Sequence, residues 1–194
     1  MTKILLVRHG HVEGIKPERF RGRQDIPLSA LGLLEARAVA HHIAAFWQPA
    51  LVYTSPLQRC VRTGHEIAAL CRVAAEVLEE INDLDYGEWQ WQTHEEVRGR
   101  CPEQFELWHE APQRMRFPQG ESLQDLGARV ADGLRLLLQR HPDETVVVVG
   151  HDSSNRALLL HLLGLPLSAY WALAQDPCGL SEIDVSPRSA KVLR

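Results

Sequence analysis

The chain has no long hydrophobic run. No stretch of its 194 residues approaches the roughly 18 consecutive apolar residues of a membrane-spanning helix. The apolar run near the amino end is only a few residues long and stops at Arg8-His9, which suits neither a signal peptide nor a span. Cysteine is scarce. Cys60, Cys71, Cys101 and Cys178 form no CxxC pair, which argues against a zinc ribbon or a disulfide framework and for reduced thiols. The expected location is therefore the cytoplasm, and no membrane partner is expected. Positive charge is not in excess either. With 21 Lys and Arg against 25 Asp and Glu, the formal charge is −4, so no nucleic-acid partner is expected and any anion must be held by a local arginine cluster. Repeats, linkers and low-complexity segments are absent as well, and the length suits one domain over 1–194.

What is present is an alternation of strands and helices. Lys3 to Val7 reads as a strand buried on both faces. A loop rich in Gly, Pro and Arg follows, and then Ser29 as the cap of a helix to about Phe46, its apolar face expected at Leu33, Leu34, Ala38 and Ile43. Leu51 to Thr54 and Val73 to Leu78 read as strands around a helix from Gln58 to about Cys71, whose inner side is expected at Val61, His65, Ala68 and Ala69. The segment from Ile81 to Gly120 suggests short helices. Ser122 and Asp125 form an S-x-x-D capping signal for a helix carrying Leu123, Leu126, Val130, Leu134 and Leu137. Thr145 to Val149 is the strongest strand, a helix from about Ser153 to Leu163 follows, and Ile183 to Val185 with Ala190 to Leu193 suggests a closing hairpin. This order predicts an α/β fold, a three-layer α/β/α sandwich with a mostly parallel central sheet.

Ligands of such sheets sit beyond the carboxyl ends of the strands. Two histidines lie there, His9 after the first strand and His151 after the valine strand. Arg8 leaves the first strand beside His9, and its planar fork suits phosphate oxygens. An imidazole held through one nitrogen is a competent nucleophile at the other. The Arg8-His9-Gly10 tripeptide alone reads equally well as a polar strand end without chemistry. Arg59 opens the second helix and can reach the same cleft, or else lie in solvent as surface arginines do. His151 stands at a helix start, where free amides can hold an anion.

In order and spacing, LLVRHG, RGRQDIPLSALG, YTSPLQRCVRT, INDLDYGEW, FPQGESLQDLGARV and VVVVGHDSSNRALL resemble the histidine phosphatase superfamily, which includes the cofactor-dependent phosphoglycerate mutases. The resemblance covers nearly the whole chain. It implies the three-layer fold, catalysis without metal or other cofactor, His9 as the phosphorylated nucleophile, and Arg8, Arg59 and His151 as the clamp on the phosphoryl group. It also implies an acid shortly before a G-x-W motif. Gly87-Glu88-Trp89 sets the register and puts Asp83 there, with Glu79, Glu80, Asp85 and Glu88 as nearby rivals for the role. Most members carry glutamate at that position.

The departures concern the phosphate loop. RHGHVEGI replaces the usual RHGET or RHGQT, so His11 and Val12 stand in place of a polar pair and Ile15 stands where asparagine is usual. R-x-Q-G becomes Arg19-Phe20-Arg21-Gly22. His11, Arg21 and Gly22 are the candidate substrate-facing residues. His9-Gly10-His11 also suggests a metal-hydrolase pair, but such a site needs further ligands, and the adjacent arginines repel a cation. The other histidines, His94 among them, are expected in surface or packing roles, and Trp108 can wall the pocket. The expected activity is hydrolysis of a small phosphorylated metabolite. Mutase-type transfer is the first alternative, disfavoured because 102–120 lacks the longer insertion of the mutases. A catalytically weak regulatory or binding module is the second, suggested by residues 11, 12 and 15. A homodimer is left open.

Overall fold

The computed structural model describes residues 1–186 and 189–193. Its centre is a six-stranded sheet in the order β3-β2-β4-β1-β5-β6. The strands are β1 (Thr2–Arg8), β2 (Leu51–Thr54), β3 (Ala75–Val77), β4 (Thr145–Gly150), β5 (Leu180–Ser186) and β6 (Ser189–Val192). β1, β2, β3 and β4 pair in parallel, and β5 and β6 add an antiparallel edge. The turn of the expected closing hairpin falls on residues 187 and 188, outside the described residues.

Alternate side chains of the central strands point to opposite faces, and both faces are covered. Leu5, Val7, Val52, Val147 and Val149 meet α1 (Ala30–Phe46) and α2 (Gln58–Cys71). Ile4, Leu6, Tyr53, Val146 and Val148 meet α5 (Leu123–Arg140) and α6 (Asp152–Leu163), together with α4 (Pro102–Glu110). The result is an α/β/α sandwich. Each fully buried Val or Leu contributes roughly 1.5–3 kcal/mol relative to exposure, which is why the unbroken apolar runs take the middle of the sheet. α3 (His94–Arg100) and short 3-10 turns fill the rest of the 81–120 segment. No helix among the described residues is long and apolar enough to cross a membrane.

Caps form as the sequence predicts. The Ser29 side chain accepts the Gly32 amide at the start of α1, and Ser122 and Asp125 form a reciprocal capping box on α5. The inner faces of two helices differ from expectation. α1 buries Gly32, Ala36, Val39, Ala40 and Ile43 and leaves Leu34 and Ala38 exposed. The cause is close approach: a Cβ on Gly32 would lie 2.1 Å from the His11 carbonyl oxygen, so the first turn of α1 rests directly on the backbone after His9. α2 buries Cys60, Thr63, Gly64, Ile67 and Ala68, while His65 and Ala69 face outward. Here too a small residue sets the contact, since a Cβ on Gly64 would lie 2.2 Å from Thr54.

Candidate active site

The register of the parallel strands assembles the site. Arg8 is paired with Gly150, and the His9 amide donates to the Gly150 carbonyl at 3.0 Å, so His9 and His151 leave adjacent strands side by side. Their rings meet edge to face with centroids 5.2 Å apart. Thr54 is paired with Val149, and the Ser55 amide continues the ladder to the Val149 carbonyl, which puts Ser55 beside His151.

His9 is buried, and its Nδ1 lies 2.7 Å from the Gly10 carbonyl oxygen. A carbonyl only accepts, so Nδ1 carries the proton and Nε2 keeps its lone pair. Burial, then the charges of Arg59, His151 and Arg8, hold His9 well below the ordinary histidine value of 6.5, whereas the Gly10 bond pulls the other way. The ring is therefore neutral at pH 7, the state a nucleophile needs. His151 is held low in the same way, by burial first and by Arg59 next. Its Nε2 lies 2.7 Å from Ser55 Oγ, and its Nδ1 accepts from Arg59 Nε at 3.3 Å. With Nδ1 accepting, the proton of the neutral ring is on Nε2, which donates to Ser55 Oγ.

Arg59 has no exposed surface. It donates to the carbonyls of Gln24 (2.6 Å) and Gly22 (2.7 Å) and to Asp83 Oδ2 (3.0 Å). Gly22 accepts this bond from a left-handed turn at φ +47°, and a Cβ there would lie 2.7 Å from Gln90 Oε1 and 2.9 Å from the Leu84 carbonyl oxygen. Arg8 Nη1 donates to the Gln175 carbonyl and lies 3.8 Å from Asp152, while its buried Nε has no partner among the described residues.

Asp83 closes the ring. Oδ1 accepts the Ser153 hydroxyl and the Leu84 amide, and Oδ2 faces Arg59 and, at 3.5 Å, His151 Nδ1. Its backbone carbonyl is gripped by Arg129 at 2.8 Å, and Arg129 is itself paired with Glu121. The pocket beside these groups, about 90 Å3, is lined by His9, Arg21, Gly22, Asp83 and Trp108 among others. Glu79, Glu80, Asp85 and Glu88 do not line it.

The other expected positions divide. Arg21 faces the pocket, with Nη1 tied to the Gly14 carbonyl. His11 does not. Its ring bonds Ser29 at 2.8 Å, its amide bonds Glu35, and it borders a separate groove with residues 12–17, Arg19 and Trp91. The departure at His11 is thus absorbed by the start of α1, whose cap it touches. His94, expected in a surface or packing role, stacks on Phe20 and also lines the pocket. Sequence reasoning missed Ser55, Asp152, Ser153 and Arg156. The strand register carried a signal for Ser55; the others follow His151 along α6 and become visible only once that helix faces the pocket. Among the described residues no group of three His, Cys, Asp or Glu side chains is arranged to hold a metal ion.

Residues 4–194 match the family model described as histidine phosphatase superfamily (branch 1). The chain belongs to this superfamily. It is 34% identical over 194 residues to phosphoserine phosphatase 1 of Hydrogenobacter thermophilus, covering all of this chain and 92% of that one. It is 30% identical over 165 residues to the metal-independent phosphoserine phosphatase of Arabidopsis thaliana, covering 84% and 69%. The solved structure of YhfR from Bacillus stearothermophilus superposes with a TM-score of 0.93 at 25% identity, covering 100% and 96%. As a histidine phosphatase the chain is an enzyme, a phosphatase that hydrolyses phosphomonoesters through a phosphohistidine.

Proposed function

We propose that His9 is the residue phosphorylated, that Arg8, Arg59 and His151 hold the phosphoryl group, and that Asp83 is the leaving-group acid, acting on a small phosphorylated metabolite. One observation carries this reading: His9 is neutral, tethered through Nδ1, and ringed by two guanidinium groups, His151 and the Asp83 carboxylate.

In the first step the Nε2 lone pair of His9 attacks phosphorus while the bond to the leaving oxygen breaks. Asp83, as the general acid, gives a proton to that oxygen. The equatorial oxygens receive N–H groups of Arg8, including Nε, and of Arg59. His151 stands beside them, its ring centroid 5.2 Å from that of His9. Such preorganised donors act on charge as it develops, so the protein's work is positioning and electrostatics. In the second step Asp83 takes a proton from water, the water oxygen attacks phosphorus, and the P–N bond breaks to release phosphate and neutral His9.

The unpaired cysteines among the described residues fit the cytoplasmic location expected from composition. Phosphoserine, the substrate in the names of two relatives, heads the compounds to test. The test is phosphate release from a panel of phosphorylated metabolites, with His9→Ala as control. Release by the wild type and none by the variant supports the reading. Equal release by both overturns it, and transfer to a second metabolite without phosphate release would make the chain a mutase.

A further inference from the structure

The chemistry above uses the part of the pocket that faces His9. The part that would receive the leaving alcohol carries opposite charges, Glu18 exposed on the loop after β1 and Arg156 on α6, with His94 and Trp171 as its walls.

Arg156 is held so that one edge stays open. Its Nε donates to Asp152, one turn earlier on α6, at 3.1 Å, and its Nη1 donates to the Tyr170 carbonyl at 3.3 Å. The guanidinium lies over the rings of Tyr170 and Trp171, 5.3 and 5.0 Å from their centres. Among the described residues no acceptor takes Nη2. Asp152 also lies 3.8 Å from Arg8, so one carboxylate separates a phosphate-holding arginine from a second arginine. A substrate with its phosphoryl group at Arg8 therefore has a second cation within reach of an acidic group a few bonds away. Fixed, partly desolvated guanidinium groups are suited to carboxylates.

Glu18 supplies the other sign. Its only charged neighbour in ion-pair range among the described residues is His94, with Nδ1 at 3.5 Å. Burial holds His94 below the ordinary histidine value despite Glu18, and His109 and Arg21 push it the same way. At pH 7 His94 is thus mostly neutral, and the Glu18 carboxylate faces the pocket without a full counter-charge. An ammonium group on the substrate would supply one.

We infer that this subsite reads a zwitterionic leaving alcohol, with Arg156 taking a carboxylate and Glu18 an ammonium, so that the substrate class is a small, free O-phosphorylated amino acid. The inference rests on the phosphatase reading above. A phosphorylated side chain within a polypeptide has its α-nitrogen and α-carboxyl tied up as amides, so a subsite that reads both charges selects the free amino acid.

Four substrates test it: O-phospho-L-serine; O-phosphoethanolamine, which lacks the carboxylate; 3-phosphoglycerate, which carries a hydroxyl in place of the ammonium; and 4-nitrophenyl phosphate, which has neither. The wild type should favour phosphoserine in kcat/KM over the second and third by at least tenfold. Arg156→Gln should reduce the phosphoserine-to-phosphoethanolamine ratio at least tenfold. Glu18→Gln should reduce the phosphoserine-to-phosphoglycerate ratio by several-fold. Each ratio is taken within one protein, so a change in the folded fraction cancels. If the wild type turns over 4-nitrophenyl phosphate and shows no preference among the other three, or if the variants leave the ratios unmoved, the inference is wrong and the phosphatase reading stands. If the wild type hydrolyses none of the four, the phosphatase reading fails and this inference fails with it.

Discussion

Asp83→Asn separates a leaving-group acid from a residue that merely braces the site. The substitution is isosteric, so the backbone grip of Arg129 on residue 83 is kept. The side chain has two sets of partners to satisfy. Oδ1 accepts from Ser153 and Leu84, and Oδ2 accepts from Arg59 at 3.0 Å. An amide can keep its oxygen on only one side. With the oxygen toward Ser153 and Leu84, the NH2 faces Arg59, donor against donor. Breaking a buried pair costs about 3–5 kcal/mol, and the lower end applies because Arg59 retains the carbonyls of Gly22 and Gln24. Against the roughly 5–15 kcal/mol typical of a folded domain, the variant stays folded, with a lowered Tm. The chemical effect is larger and selective. General acid catalysis is worth about 10²–10⁴-fold, and it matters only where the leaving group cannot depart as an anion. The phosphorylation rate, read in a rapid-quench burst, should fall by about that factor for an alkyl phosphate and by less than about tenfold for 4-nitrophenyl phosphate. The burst is required because Asp83 also serves as base for water, and steady-state turnover would report the second step. Equal losses for both leaving groups would refute the assignment.

Other consequences concern charge and pH. Arg59→Ala should lower kcat on the order of a hundredfold, since losing one donor to transition-state charge costs about 3 kcal/mol, whereas Arg21→Ala should act mainly on KM; equal kcat losses would contradict this division. His9 and His151 are both held below 6.5 in the folded state, so the unfolded chain binds more protons as pH falls. Their contribution is fully present above about pH 6.5 and is lost as pH falls from there toward the depressed folded values, at no more than about 2.7 kcal/mol per pH unit for two groups. Urea titrations at pH 7.5, 6.5 and 5.5 measure this slope, and a flat profile would show that the two rings are not buried neutral.

Much of this site was legible because strand ends are legible. The valine run and the short run before Arg8 each end in a histidine, and parallel pairing of β1 with β4 then makes His9 and His151 neighbours. Asp83 was reached only through the family resemblance, with Gly87-Glu88-Trp89 setting the register. The inner faces of α1 and α2 were not legible, because Leu and Ala occur around both helices and the burial is decided by glycines that let backbone approach backbone, Gly32 against His11 and Gly64 against β2. The leaving-group half of the pocket was hidden for another reason. Glu18, His94, Arg156 and Trp171 are dispersed along the chain, and only the packing of α3, α4 and α6 around Trp108 brings them together.

The central claim is that the phosphoryl group is carried on His9. The direct measurement is an alkaline quench of the enzyme during turnover of a 32P-labelled substrate, followed by mapping of the labelled peptide, since a phosphoramidate survives base and is lost in acid. The account predicts acid-labile label on the peptide containing His9, at up to one equivalent, and none in His9→Ala. Acid-stable label on a serine, or label on His151, would contradict it.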